Sequence, residues 1–451
     1  MVSETPIVML RARASCTTLR AMAKTYRPYV PEQDLLLPPS LREWLPEDHL
    51  AFFVSDLIDQ LDLSTITRVY EEEARGYPPY HPVMLTKVLV YAYCVGVFSS
   101  RRIQRCTSVE DVAFRVLAAG NAPDFRTIAD FRKTHLGALR GLFEQVLRLA
   151  REMGAPRVGR VALDSSKIQA NASKHKAMSY GRMREKQQQL REEVNQLLAQ
   201  AEAADAAEDG EYGKDRRGDE LPAELQRRES RLQRIREAKR ALEARAKDDA
   251  AAAGKPADAA KPDPKSQYNF TDPESRIMKG PDRFMQAYNV QVAVDELQLI
   301  VGQAVTQETN DKKQLMPMIT VITQQAGDTP DQLLADAGYC SEESLTAISA
   351  TPIDAYVSTR KQTHAERPGP CPRGPVPKTA TIVDRMARKL LTKTGAAAYA
   401  ARKGMVEPVI GQIKHARGFR QFLLRGVEQV RAEWALVCTT HNILKLYRLC
   451  R

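Results

Sequence analysis

Three acidic residues that lie far apart in the chain are the side chains whose types and positions point to chemistry. They are Asp164 in RVALDSS, Asp336 in LLADAGY and Glu407 in MVEPVIG. Each Asp ends a short apolar run that predicts a buried strand, whereas the Glu occupies a basic segment with helical spacing. Carboxylates gathered at one end of a sheet can hold two Mg²⁺ ions, with Mn²⁺ as a substitute, because hard cations prefer oxygen ligands. Two such ions about 4 Å apart can cut and rejoin phosphodiester bonds.

Each of these acids has a simpler explanation when it is considered alone. An Asp that follows a strand is more often a turn or helix-cap residue, and Glu407 could be a first-turn acid that complements a helix dipole. Pro408 favours a first helical turn, so we expect a helix to begin near Glu407, after a break in the preceding helix. The predicted metal site therefore depends on the occurrence of all three acids in the order strand, strand, helix.

Cations follow the third acid in a pattern that suits a phosphate backbone. The formal net charge is +11, and residues 401–451 hold ten Lys or Arg against three acids. Lys414 and Arg417 lie two and three turns after Glu407 on one helical face. We predict phosphate contacts near the cut for basic residues of this segment and for the lysine just after the first strand: Lys167, Lys403, Lys414, Arg417 and Arg420. The alternatives are a solvated basic helix face and, for the strand residue, an ordinary exposed lysine.

The region before the first strand is predicted to be helical. Residues 26–155 carry apolar residues at helical spacing, interrupted by a predicted turn at 121–124. Two short helices across a tight turn are typical of a helix-turn-helix DNA contact, which would use Arg126, Arg132 and Lys133. The alternative is two ordinary helices of a bundle, and the spacing alone favours this alternative.

The remaining elements predict a mixed sheet. A strand ends at Asp164, and after a long interruption two alternating strands, a helix, a strand, a helix, a strand and further helices follow. This order predicts an α+β fold, with a five-stranded mixed sheet and flanking helices in the manner of an RNase H-like core. We assign this catalytic domain to 156–181 and 267–451, a helical hairpin or coiled coil to 182–247, and a flexible linker to 248–266.

Composition excludes several classes of protein. The chain of 451 residues is 43% hydrophobic and 27% charged, which is ordinary for a globular protein of two or three domains. It has no run of 18 apolar residues, so we expect no membrane span. The seven cysteines include no CxxC pair and no matched Cys/His set, which argues against zinc and favours free thiols in a reducing cytosol. Residues 1–25 form a basic extension, for which disorder and a true start at Met22 are both open.

Several motifs resemble those of one known family. They are ALDSSKIQANASKHKAMSY, TDPESRIMKG with AYNVQVAVD, ADAGYCSEE, VEPVIGQIKHARGFRQFLLRG and EWALVCTTHNILKLY. Together with YRPYVPEQDLLLPPSLREWLPEDHLA and YHPVMLTKVLVYAYCVGVFSSRRIQR, they resemble bacterial insertion-sequence DDE transposases, most closely the subgroup numbered eleven eighty-two. The resemblance extends from about Ala23 to Tyr447. The chain has Ser165-Ser166 where the family usually has Gly-Thr, and Cys340 where an aromatic is common, but neither departure removes a carboxylate.

The resemblance implies an RNase H-like catalytic domain with Asp164, Asp336 and Glu407 as its acidic triad. It also implies transposition of the encoding element, with terminal inverted repeats and target DNA as partners and the N-terminal helices as the end-recognition module. Because two ends must be paired, we expect a homodimer or a higher homo-oligomer, in the bacterial cytoplasm with the nucleoid. The alternatives are a metal-dependent nuclease of the same fold, a DNA-binding protein with an inactive catalytic domain, and a coiled-coil scaffold.

Overall fold

The computed structural model describes residues 40–71, 79–155, 158–212, 223–252, 254–256, 260–280, 283–360 and 369–451. Two predictions concern residues outside these ranges, namely the basic extension at 1–25 and the alternative start at Met22. The elements that carry the three predicted acids all lie within the described residues.

Helices form the described part of the region that precedes the sheet, as predicted. They are α1 (Leu50–Asp59), α2 (Ser64–Glu71), α3 (Pro82–Cys94), α4 (Ser100–Arg105), α5 (Val112–Leu117), α6 (Phe125–Thr134) and α7 (Leu136–Glu152). The predicted turn separates α5 from α6, and the Asp124 side chain caps α6 by accepting a hydrogen bond of 2.8 Å from the Arg126 backbone N–H. α7 buries Leu139, Phe143 and Val146, which recur at helical spacing and so form one apolar face.

Strands form where the sequence alternates. The strands of the described residues are β1 (Arg160–Gln169), β2 (Ala177–Ser179), β3 (Gln267–Asn269), β4 (Arg276–Lys279), β5 (Phe284–Val294), β6 (Ile300–Thr306), β7 (Gln332–Ala335) and β8 (Asp354–Val357). β5 and β6 form the predicted hairpin, and the Asp295 side chain closes its turn by accepting hydrogen bonds from the N–H groups of Leu297 and Leu299. β2, β3 and β4 were not predicted, because three or four residues carry too little alternation to be recognised.

The main sheet is mixed, with β1 at its centre. β1 pairs antiparallel with β5 on one side and parallel with β7 on the other, and β8 pairs parallel with β7. The outer edge of β5 is shared by β4, which pairs with its beginning, and by β6, which pairs with its remainder. The five predicted strands therefore lie in the order β6–β5–β1–β7–β8, an α+β arrangement that is consistent with an RNase H-like core.

Helices cover both faces of this sheet. In the second half of the chain they are α8 (Tyr180–Tyr212), α9 (Ala223–Ala252), α10 (Leu315–Ala326), α11 (Glu342–Ser349), α12 (Ile382–Leu391), α13 (Lys393–Gly411) and α14 (Val427–Leu449). Side chains of β1 alternate between the faces. Val161 and Leu163 pack with α10 and α11, whereas Ala162 packs with α13 and α14.

The helix α14 lies between the N-terminal helices and the sheet. On one side, Asn442 exchanges two hydrogen bonds of 2.8 Å with the backbone of Ile300 in β6. On the other, the thiol of Cys94 in α3 donates to the carbonyl of Thr440. Buried residues of α3, α7, α13, α14 and this face of the sheet belong to one hydrophobic core. No helix within the described ranges combines the length and the apolar character that a membrane crossing needs.

The interruption between β1 and β5 contains the paired helices α8 and α9. They run antiparallel, since the Tyr180 hydroxyl at the start of α8 donates to Glu243, near the end of α9, at 2.8 Å. Residues that the sequence placed at helical spacing are buried in their shared cluster: Leu190, Leu232, Ile235 and Leu242. α9 continues to Ala252, so the first residues of the segment assigned to a flexible linker are helical.

Pro408 lies inside a helix, where the sequence predicted the start of one. α13 begins at Lys393, and Glu407 lies in its last turns. A proline within a helix leaves the carbonyl four residues earlier without its usual partner. Here that carbonyl, of Gly404, accepts a hydrogen bond of 2.9 Å from the side-chain amide of Gln298. The prediction was wrong because the compensating donor comes from the β5–β6 turn, 106 residues earlier in the chain.

Candidate active site

Asp164 in β1 and Asp336, the residue that follows β7, lie at the same edge of the sheet. The parallel register of β1 and β7 ends where Ala162 pairs with Leu334, and each acid lies two residues beyond this last pair. Neighbouring strands are about 4.8 Å apart, and side chains two residues apart share a face. Both carboxyls are therefore directed to the face that α13 covers. The predicted convergence of these two acids is supported by the strand register.

β1 does not end at Asp164, contrary to the prediction. Its pairing with β7 stops at Ala162, but its pairing with β5 continues to Gln169. The reason is the length of β5, which has 11 residues and supports β1 beyond its apolar run. Asp164 therefore lies on a strand that is still paired with β5 on one side but no longer with β7 on the other.

Asp164 is a mostly buried carboxyl whose ionised form is disfavoured. Its side chain is 21% exposed. Burial is the main cause of a pKa raised to about 6, and the carboxyls of Asp336 and Asp311 raise this pKa further. The Arg402 guanidinium and the Ser165 backbone N–H, which donates to Oδ1 at 2.8 Å, act in the opposite direction. A carboxyl in these surroundings is a position that an added cation would stabilise.

Arg402, on α13, is the cation that pairs with Asp164. Its Nη2 lies 3.2 Å from the Asp164 Oδ1, and its side chain is only 8% exposed. Its Nε has no hydrogen-bond partner within the described residues. From the sequence alone, Arg402 was recognised only as one of the ten basic residues of 401–451. Its position five residues before Glu407, on a helix expected beside the first strand, was the signal that could have identified it.

Asp311, in the loop between β6 and α10, is a further acid at this edge that the sequence analysis missed. Its Oδ1 accepts hydrogen bonds of 2.7 Å from the side-chain amides of Asn289 and Gln291 on β5. Its Oδ2 accepts one of 2.8 Å from the Ser165 hydroxyl, and Lys167 Nζ lies 3.7 Å from Oδ1. The loop is thereby fixed to both β1 and β5. The amide side chains of Asn289 and Gln291, two residues apart on a strand that was predicted to be buried, could have indicated that a polar partner lies there.

Gly338 shows how closely the acids approach one another. A Cβ at this position would lie 3.0 Å from the Asp336 Oδ1 and 3.3 Å from the Asp311 Oδ2. A side chain at 338 would therefore crowd both carboxylates. Tyr339, the next residue, is fully buried and donates its hydroxyl to Gln291. Burial raises the pKa of this hydroxyl well above the usual range, so it stays neutral.

Glu407 is the predicted acid that the structure does not bring to the other two. It is exposed, and the described contacts include no hydrogen bond or ion pair from it to Asp164 or Asp336. Across the described ranges, no three His, Cys, Asp or Glu side chains are arranged to hold a metal ion. α13 nevertheless covers the face to which Asp164 is directed.

The chain that follows α13, here called the basic segment (412–425), runs along β1. It starts with a π-helical turn, from which Lys414 donates to the Ser166 hydroxyl at 3.0 Å. The exposed Arg420 donates through Nε to the Lys414 carbonyl. Burial lowers the pKa of Lys414, and the neighbouring Arg420 lowers it further. Both predicted phosphate ligands therefore lie beside the strand that carries Asp164.

Further along, the basic segment pairs with the end of β1. Gln169 and Gln421 form an isolated parallel bridge, and the Phe422 N–H donates to the Gln169 carbonyl at 2.9 Å. Arg425 reaches beyond the strand, where its Nε donates to the Asn171 carbonyl at 2.9 Å. The exposed cations of the basic segment thus follow β1 from its acidic part to its far end.

Two of the predicted DNA-binding residues, Arg132 and Arg417, are buried. Arg132 is 7% exposed, and its Nη1 donates to the Phe98 carbonyl at 3.0 Å. Arg417 is 9% exposed and donates to the Thr440 hydroxyl at 2.8 Å and to the Val437 carbonyl at 3.2 Å. Because these guanidinium groups are engaged in the interior, the prediction of phosphate contacts was wrong for both. Arg417 instead ties the basic segment to α14.

The other predicted DNA ligands lie in two different places. The Lys167 side chain is 18% exposed and points to Asp311, so it is not the exposed strand-end lysine of the alternative interpretation. Burial lowers the pKa of Lys167, and Asp311 opposes this effect. Lys403, Arg126 and Lys133 are exposed. Their contacts with DNA stay predictions.

The exposed face of α4 and α6 carries cations around one aromatic ring. The guanidinium carbons of Arg101 and Arg126 lie 5.1 and 5.6 Å from the centre of the Phe125 ring. Arg102 is exposed on the same short helix. We call Arg101, Arg102 and Arg126 the α4–α6 patch. It includes a helix that the predicted helix-turn-helix did not contain.

Two segments of the chain match known family models. Residues 39–134 match the model described as Transposase domain (DUF772). Residues 376–447 match the model described as Transposase DDE domain. These two segments, which together cover less than half of the chain, are similar to transposase domains. No curated protein and no solved structure gives a significant match.

The two matched segments cover the following elements of the structure. The N-terminal match spans α1 to α6, including the α4–α6 patch. The C-terminal match spans α13 with Arg402 and Glu407, the basic segment and nearly all of α14. The DDE domain indicates a DNA transposase, and such enzymes generally use a divalent metal ion. The finer assignment to subgroup eleven eighty-two stays a prediction.

Proposed function

We propose that this transposase belongs to subgroup eleven eighty-two, cuts DNA at the ends of its element with divalent metal ions, and joins the freed 3′-hydroxyl groups to target DNA. The observation that carries the proposal is that Asp164 and Asp336 each lie two residues beyond the last pair of the adjacent parallel strands β1 and β7, on the side that the helix bearing Glu407 covers. Carboxylates held where paired strands separate form a rigid pair of oxygen donors, as a precisely placed cation requires.

The donor set fits Mg²⁺, with Mn²⁺ as a substitute. Asp164, Asp336 and Glu407 offer oxygen atoms only, which hard cations prefer over softer ligands. Burial, with Asp336 and Asp311 nearby, raises the pKa of Asp164 even though Arg402 opposes this, so a bound cation would favour its ionised form. When bound, the ions would activate the attacking hydroxyl and stabilise the leaving oxygen. Glu407 is assigned to this set because it is exposed and lies on α13, the helix from which Arg402 contacts Asp164.

Several side chains would act on the DNA rather than on metal. Arg402 is not among them, because it holds the Asp164 carboxylate in one orientation by its 3.2 Å contact. Lys414 and Arg420 are assigned to the phosphates on either side of the cut, since they flank β1 close to the acids. Charge-assisted bonds of this kind fix the position of a strand without reading its sequence.

Recognition of the element ends is assigned to the N-terminal helices. Arg101, Arg102 and Arg126 form an exposed patch, and Lys133 lies on the same helix α6 as Arg126. Cations on one face are the electrostatic signature of a DNA-binding module. Pairing of two ends makes a homodimer or a higher homo-oligomer the expected assembly.

The test is a two-step reaction with the full-length protein. Labelled DNA that carries the sequences flanking the gene is incubated with Mg²⁺, with Mn²⁺ or with EDTA, and cleavage is followed on sequencing gels. A pre-cut end with a free 3′-hydroxyl then tests joining to a plasmid. We expect metal-dependent cleavage and joining by the native protein, and loss of both in Asp164→Asn, Asp336→Asn and Glu407→Gln.

The matched control is Glu343→Gln, which removes an exposed carboxylate from α11. It should cut and join as the native protein does. Cleavage without joining would replace the proposal by the nuclease alternative. Tight DNA binding without cleavage in any metal would instead favour a DNA-binding protein with an inactive catalytic domain.

A further inference from the structure

A cavity of about 490 Å³ lies where β1 and the basic segment end. Its wall includes Gln169 and Gln421, the residues that bridge these two segments. Its volume falls in the range of pockets that hold ligands of nucleotide size, roughly 300–1,000 Å³. The cavity lies outside the acidic part of the sheet, and the proposed chemistry does not use it.

The charge of the cavity wall has one sign. None of its described lining residues is Asp or Glu. Five of them are positively charged or can become so: Lys174, His175, Lys176, Arg283 and Arg425. Lys174 and Lys176 are exposed and form no ion pair within the described part of the chain. Unpaired cations around a concavity concentrate an anion there.

Phe284 gives the cavity an aromatic surface. It is the first residue of β5 and lines the cavity, and 59% of its surface is exposed. A large exposed ring costs solvation free energy unless something covers it. An aromatic face beside cations suits an unpaired nucleotide, since the base can stack while its phosphates meet the positive charges. A paired base in a duplex cannot stack in this way.

The basic segment connects this cavity to the acids. From Asp164 to Gln169 the strand advances five residues, or roughly 16 Å. Lys414 and Arg420 lie along this path, and Arg425 lines the cavity itself. At about 3.4 Å per nucleotide of a strand, the distance corresponds to roughly five nucleotides.

We propose that the cavity lined by Phe284 binds an unpaired nucleotide of the DNA strand held at the acidic site. Phe284 stacks on the base, while Lys174, Lys176 and Arg425 hold the flanking phosphates. The inference rests on the proposed DNA transposase function and adds to it a single-strand subsite about five nucleotides from the cut.

The test separates stacking from charge. Fluorescence anisotropy in EDTA measures binding of the full-length protein to two labelled 15-mers with equal phosphate numbers, oligothymidylate and an abasic oligomer. Stacking is worth roughly 1–3 kcal/mol per base, so the native protein should bind oligothymidylate about 5- to 150-fold more tightly. Phe284→Ala should remove this preference, and Phe284→Trp should retain it.

Two further variants complete the design. Leu297→Ala removes an exposed apolar side chain from the β5–β6 turn and should keep the native preference. Lys174→Gln combined with Lys176→Gln should weaken binding of both oligomers and flatten the salt dependence, while the ratio between them persists. An unchanged ratio in folded Phe284→Ala, or equal binding of both oligomers by the native protein, would overturn the proposal.

Failure of this proposal is distinguishable from failure of the proposed function. Binding is measured without metal, so it does not depend on cleavage, and Asp336→Asn should show the native preference. If the native protein cuts and joins DNA but binds both oligomers equally, only the cavity assignment falls. If the preference depends on Phe284 but no cleavage occurs with any metal, the cavity assignment stands and the catalytic one falls.

Discussion

The helices α13 and α14 follow one another in the chain and pack on the same face of the sheet, yet Glu433 on α14 and Arg402 and Glu407 on α13 have different surroundings. On α14, the buried Glu433 accepts hydrogen bonds from the N–H groups of Leu423 and Leu424 and from the Tyr93 hydroxyl. On α13, Arg402 leaves its Nε without a partner, and Glu407 is exposed. Both helices contribute to the core, but α13 also faces the group of carboxyls around Asp164.

This difference helps to distinguish polar residues that stabilise the fold from polar residues that serve the proposed function. A buried polar group that serves the fold has its hydrogen bonds satisfied by protein partners. Burial raises the pKa of Glu433 too, but Arg132 and its hydrogen-bond donors oppose the effect. At Asp164 two further carboxyls, Asp336 and Asp311, add to the effect of burial, and its pKa is raised to about 6 despite the contact with Arg402. Perturbed groups of this kind concentrate at functional sites. Substitutions should therefore affect activity on one helix and stability on the other.

The largest expected effect is on catalysis. Asp336→Asn should reduce the rate of DNA cleavage by roughly a thousand-fold or more, because it removes an oxygen donor from the proposed metal site, where charge stabilisation is worth several kcal/mol. The midpoint of urea unfolding should stay close to that of the native protein. Single-turnover cleavage and denaturation curves check the two parts. A variant that unfolds readily would place Asp336 with the structural residues.

Glu433→Ala should reduce the stability of the fold, in contrast to Asp336→Asn, which should reduce the cleavage rate. It leaves two backbone N–H groups and the Tyr93 hydroxyl without an acceptor in the core, next to the buried Arg132, so the free energy of unfolding should fall by about 3–5 kcal/mol. Urea denaturation measures the loss. Glu428→Ala, at an exposed position of the same helix, is the control and should change stability by less than about 1 kcal/mol. Equal effects of the two variants would refute the contrast.

The third effect is a pH dependence. The pKa of Asp164 is raised in the folded protein, so the folded state holds this proton more tightly than the unfolded state does. The stabilisation is present below the unfolded pKa near 4 and is lost as the pH rises through about 6. Relative to Asp164→Asn, the metal-free native protein should lose up to about 3 kcal/mol between pH 4 and pH 7. A difference that does not vary with pH would contradict the assigned surroundings.

The smallest effect concerns the proline within α13. Gln298→Met keeps the size of the side chain but removes the donor to the Gly404 carbonyl, which should cost about 1 kcal/mol of stability. Pro408→Ala restores a backbone N–H that can bond the same carbonyl. In that background, Gln298→Met should cost clearly less. Additive losses in the double-mutant cycle would show that the two donors do not serve one acceptor.

Local patterns were sufficient for much of the sheet and for one acid of the site. The strands β5, β6, β7 and β8 follow alternating or apolar runs, and Asp336 follows β7 as predicted. These features depend on neighbouring residues, so they are visible in a short window of sequence. The order of the elements then predicted one mixed sheet, which the strand pairing confirms.

Long-range partners explain what could not be predicted. Whether Pro408 breaks a helix depended on Gln298, and whether Arg417 is free for DNA depended on Thr440 and on other groups of α14. The pair of Asp164 with Arg402 joins the first strand to a helix more than 200 residues later. A short stretch of sequence does not contain both members of such a pair. Basic character alone therefore could not distinguish a buried guanidinium from one that meets phosphate.

The single core that α14 shares with the N-terminal helices and the sheet has a geometric consequence for a transposase. Arg417 and Asn442 fasten the basic segment and β6 to this helix, so the patch on α4 and α6 cannot swing independently of Asp164. If the α4–α6 patch binds DNA and Asp164 lies at the cut, as proposed, the distance between the bound base pairs and the broken bond is fixed by the fold of the protein.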